Sequence, residues 1–99
     1  MAARKPKGKA VEVDGISVDV TIDPADDYEL AACSAVISDP DATAAEKTRA
    51  IVRQHELVLG DSRKKVMDEL RKRNGGKLPG SAVSEFCNRV IAQAGEAKN

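Results

Sequence analysis

The residues in this chain able to do chemistry are few, and their spacing argues against catalysis. There is one histidine, His55, and two cysteines, Cys33 and Cys87, in 99 residues. His55 falls on an apolar helical stripe beside Leu59, where an imidazole is expected to be a partly buried, hydrogen-bonded core group. With a single His, no nucleophile–base pair can be assembled from spacing. Cys33 and Cys87 each sit on an apolar face and read as reduced core thiols, neither a disulfide nor a metal pair. Asp19, Asp23, Asp26 and Asp27 form an acidic cluster, but not in the order of a calcium loop; capping and turn chemistry account for the last three. Gly60-Asp61-Ser62-Arg63-Lys64 and Asn74-Gly75-Gly76-Lys77 both lack the spacing of a phosphate-binding loop. The expectation is a protein without catalytic residues, metal or cofactor.

The elements around these residues point instead to a binding surface. The expected fold is one α+β domain, mainly α, with an N-terminal β-hairpin packed on a small bundle of about four helices. One Phe, one Tyr and no Trp leave an aliphatic core, small enough for partner binding or oligomerisation to matter for stability. Residues 1–10, with four cations and no acid, read as a flexible basic arm. Residues 11–94 form the domain and 95–99 a tail.

In VEVDGISVDVTI (11–22), apolar and polar residues alternate on either side of Asp14-Gly15. That dipeptide suits a type I′ turn, which requires positive φ at both positions. A two-residue loop pairs Val13 with Ile16 and Val11 with Val18, so the apolar side chains share a face. The hairpin's open edge could accept a strand from another copy. Helices are expected at about 27–37, 42–59, 62–73 and 82–94. The predicted caps are Asp26 or Asp27, Asp41 or Thr43, Asp61 or Ser62, and Ser81. The second helix should turn Ala44, Thr48, Ile51, Val52, Val58 and Leu59 inward and end at Gly60. In the last, Val83, Phe86, Cys87, Val90, Ile91 and Ala94 follow helical spacing without a gap.

Charge is strongly segregated although the total is zero: −8 over residues 11–60 and +4 over residues 61–77. Such a chain can complement itself, within one molecule or between copies. The basic helix at 62–73 invites comparison with a DNA reader, but the acidic block before it would repel DNA. Arg71, Lys72 and Arg73 also stand at the helix C-terminus, where recognition helices do not read bases and where the macrodipole favours cations. No apolar run reaches membrane-spanning length.

Four features resemble the short tail assembly chaperones of long-tailed bacteriophages and prophages. They are a β-rich start ending in Asp26-Asp27-Tyr28-Glu29-Leu30; a helix ending in Val58-Leu59-Gly60; Lys65-Val66-Met67-Asp68-Glu69-Leu70 followed by Gly75-Gly76-Lys77-Leu78-Pro79; and Val83-Ser84-Glu85-Phe86 opening a final helix. Their order and spacing carry the likeness over about residues 11–94. It implies a non-enzymatic chaperone in the bacterial host cytoplasm that binds the tape measure protein and helps recruit the tail tube protein. Many such chaperones are also made as a longer, frameshifted form, and Ala97-Lys98-Asn99 is compatible with a slippery codon string.

A chaperone for a helical client needs an apolar groove with charged rims. The expected lining is Val83, Phe86, Val90 and Ile91 with Val66, Met67 and Leu70, and the rim cations are Arg63, Lys64 and Arg71. The exposed part of this set is expected on the last helix. A small DNA-binding regulator using the basic arm and residues 62–77 is the alternative, and a self-assembling structural protein is a second.

Overall fold

The computed structural model describes residues 9–96. The basic arm, apart from Lys9 and Ala10, and residues 97–99 of the tail lie outside them. Strands β1 (Lys9–Val13) and β2 (Ile16–Val20) pair antiparallel, with Val13 opposite Ile16 and Val11 opposite Val18. Asp14 and Gly15 adopt φ of 52° and 81°, the left-handed pair that the tight turn needs. The register is the one that alternation requires: Val11, Val13, Ile16, Val18 and Val20 are all buried.

Helices follow as α1 (Tyr28–Ser38), α2 (Ala44–Leu59), α3 (Arg63–Arg73) and α4 (Gly80–Glu96), with a 3₁₀ turn at Gly60–Ser62 before α3. The hairpin face rests on three helices rather than four: α4 lies under β1, while α2 and α3 lie under β2. Helix α1 packs chiefly on α2, to one side of that bundle. Val58, Leu59, Val66, Phe86 and Val90 join the strand valines in one apolar cluster.

Local chemistry explains most boundaries. Asp27 caps α1 by accepting the Leu30 N–H at 2.9 Å. Thr43 caps α2 as half of a reciprocal box: its hydroxyl accepts from the Glu46 N–H, and the Glu46 carboxylate accepts from the Thr43 N–H. Gly60 ends α2 at φ 52° and ψ −131°, a conformation that side chains with a Cβ rarely adopt.

Two caps differ from expectation. Ser62 makes no capping bond to α3; its buried hydroxyl instead accepts the Asp19 N–H of β2 at 3.1 Å. In a two-residue hairpin the Asp19 N–H points away from β1, so Ser62 satisfies a strand-edge donor. Ser81 is already inside α4, which begins one residue earlier at Gly80. The Pro79 carbonyl accepts from Ala82 and Val83. At the other end, α4 runs on through Gly95 to Glu96, beyond the expected end at 94.

Candidate partner-binding groove

The apolar stripe of α2 divides along its length. Its C-terminal residues Val58 and Leu59 enter the core, but Ala44, Thr48 and Val52 remain exposed and Ile51 and His55 only half-buried. The expectation that the whole stripe turns inward is therefore corrected. Only the last turns of α2 lie beneath the hairpin, so the earlier ones have no sheet to cover them.

What they border is a groove of about 400 Å³ between α2, the start of α3 and the start of α4. Ile51, Val52, Met67, Leu78 and Val83 supply its apolar surface, and Thr48, His55, Glu56, Arg63 and Ser84 its polar margin. Val52 is 48% exposed, a large apolar side chain facing solvent at the groove's edge.

The polar margin is held in place by specific contacts. Ser84 Oγ and His55 Nε2 share a hydrogen bond of 3.2 Å that ties α4 to α2 across the groove. Burial lowers the His55 pKa below its ordinary value, so the imidazole is neutral at pH 7 and adds no charge to the wall. Glu56 accepts from Arg53 at 3.1 Å and pairs with Arg63 at 3.5 Å. Arg53 is itself held by Glu29 of α1 at 2.7 Å. His55 is thus the half-buried, hydrogen-bonded residue its position on the stripe implied.

The expected partner-binding residues scatter. Half-buried Met67 lines the groove, Val83 forms part of its floor while buried in the core, and Arg63 stands on its rim. Phe86, Val90 and Leu70, with Val66, are buried in the core and offer nothing to a partner; Ile91 is half-buried against the same cluster. The exposed apolar set therefore does not lie on α4 as expected. The unbroken spacing of α4 is that of a helix buried along its whole stripe beneath β1. Lys64 and Arg71 are exposed on α3, where both approach Asp68, at 3.2 and 3.6 Å. The residues missed are Ile51, Val52 and Leu78. The first two were visible as part of an apolar stripe, but periodicity alone does not say whether a stripe is covered.

Among the described residues, no group of three His, Cys, Asp or Glu side chains is placed to hold a metal ion. No helix there is long and apolar enough to cross a membrane. The site combines apolar area, a hydrogen-bonding His55–Ser84 pair and an anchored ion pair. Compared with known protein families, curated proteins and solved structures, the chain matches none.

Proposed function

We propose that this chain is a non-enzymatic assembly chaperone that holds the apolar stripe of a helical client in the α2–α3–α4 groove. The observation that carries the reading is the groove itself, with Val52 and half-buried Ile51 and Met67 left uncovered by the chain's own fold. An amphipathic helix laid there would bury its apolar positions at i, i+3, i+4 and i+7 against these side chains. Its polar flank would meet Glu56, Arg63 and the His55–Ser84 pair.

The resemblance to short phage tail assembly chaperones supplies the client: the tape measure protein, with the tail tube protein recruited later, in the host cytoplasm. Its motifs around Met67 and Val83 fall on two walls of this groove. The DNA-binding alternative receives less support. Arg63, Lys64, Arg71 and Arg73 each have a carboxylate within 4 Å, so phosphates would have to displace existing pairs.

The test is co-expression with a tape measure protein, a long helical chain, followed by co-purification. Val52→Asp, at an exposed position, should abolish capture while leaving the circular dichroism melt in place; Met67→Asp, half-buried against the core, should abolish capture with some loss of stability. Undiminished capture by both variants would overturn the reading. Tight DNA binding that weakens steeply with salt would favour the regulator instead.

A further inference from the structure

Helix α1 is out of keeping with its position. It carries Glu29 as its one charged residue and has apolar or small side chains all round, with no polar face. A helix of that composition is ordinarily covered on all sides. Here it packs chiefly on α2, which buries Leu30 and Cys33 and leaves Ala31, Ala32 and Ala35 exposed, with Tyr28 at 88%. Beside the exposed face runs a second groove, about 440 Å³, between α1 and α2, whose apolar surface includes Ala32, Cys33, Val36 and Ala50.

Charge indicates what fits there. Residues 23–41 contain six acids, Asp23, Asp26, Asp27, Glu29, Asp39 and Asp41, and no Lys or Arg. Glu29, Asp39 and Glu46 reach the groove, against Arg49 alone. Glu29 is already ion-paired with Arg53 at 2.7 Å, whereas Asp27, Asp39 and Glu46 accept backbone N–H bonds from Leu30, Asp41 and Thr43. Such bonds do not cancel their negative charge. A second copy of α1 would set acid against acid. On the chain's own basic helix, Lys64 and Arg71 pair with Asp68, Arg73 with Glu69 and Arg63 with Glu56, which leaves Lys65 and Lys72 alone to meet a second copy's acids.

We propose that the α1–α2 face is a docking surface for a segment of a different protein, helical, apolar along one side and carrying Lys or Arg on its flanks. The apolar side would cover Ala32 and the groove floor, with Ala35 at its outer rim, and the cations would meet the acids at both ends of α1. This surface is independent of the client groove. On α2, residues 46, 49 and 50 line one groove and 48, 51, 52, 55 and 56 the other; at 100° per residue 48, 51, 52 and 55 point away from the first set, and Glu56 alone falls beside it.

Two synthetic amphipathic helices of about 15 residues, with the same Leu/Ala stripe and either Lys or Glu on the flanks, test this by calorimetry with the full chain. The Lys peptide should bind at least about tenfold tighter than the Glu peptide. Ala35→Arg should weaken it by a similar factor, whereas Val52→Asp, in the other groove, should not. Equal binding of both peptides, indifference to Ala35→Arg, or loss through Val52→Asp would each overturn the proposal. So would a wild-type dimer, seen by sedimentation, that Ala35→Arg dissociates, since the occupant would then be a second copy.

Discussion

Helices α4 and α1 are both rich in apolar residues, yet the fold treats them in opposite ways. In α4 the apolar side chains keep helical spacing, and Val83, Phe86, Cys87, Val90 and Ala94 all disappear beneath β1 and the neighbouring helices. In α1 they are spread round the axis, so one neighbour can cover only Leu30 and Cys33. The difference teaches that apolar content alone does not place a helix in a core. A stripe matches a single packing surface; an apolar girdle needs several, and this chain supplies α1 with one.

The sharpest way to break this comparison is truncation. Phe86→Ala on α4 should cost about 3–5 kcal/mol, enough to unfold much of so small a domain, as read by urea denaturation. Exposed Ala35→Arg on α1 should stay within about 0.5 kcal/mol of wild type. If Phe86→Ala proved as mild as Ala35→Arg, the distinction between the helices would collapse. Removing the cap with Asp27→Ala should cost about 1 kcal/mol. Because α1 stands to one side of the bundle, the loss should appear first as faster amide exchange within 28–38 while α4 stays protected.

The smallest effect concerns the seam between α2 and α4. Burial lowers the folded-state pKa of His55, so the unfolded chain binds a proton more readily. The stabilising contribution of neutral His55 is therefore complete above its ordinary pKa, about 6.5, and is lost as pH falls through the lower folded value. His55→Gln should flatten that part of the stability–pH curve in thermal melts taken from pH 7 down to 5. A drop of equal size in the variant would assign the pH dependence elsewhere.

How legible these features were in the sequence depends on how local their causes are. The hairpin could be read with its register because alternation and Asp14-Gly15 act over a few residues. Helix α4 could be read because its spacing is complete, and Thr43 because a hydroxyl before an apolar run is a local signal. Its partner Glu46, three residues on, was equally available and completes the cap. Ser62 was not legible: the Asp19 N–H that it satisfies lies 43 residues away, a relation that only the folded chain creates. The groove was half legible, since Met67 and Val83 belong to it. Ile51 and Val52 carry the same pattern whether a sheet covers them or solvent does, and the sheet's reach is a matter of tertiary geometry.

The two thiols give this molecule an internal clock. Cys87, on α4's apolar face, is sealed in the core, and burial pushes its pKa up to about 12. A thiol-specific reagent can therefore capture it only in the moments when the core opens, and its modification rate reports the frequency of that opening. Cys33 stands at the wall of the α1–α2 groove, so its rate follows the fluctuations of α1 alone. Two labelling rates measured on one unmodified chain thus separate breathing of the outer helix from rupture of the whole domain, and a partner seated on α1 would slow both, by linkage to the folded state.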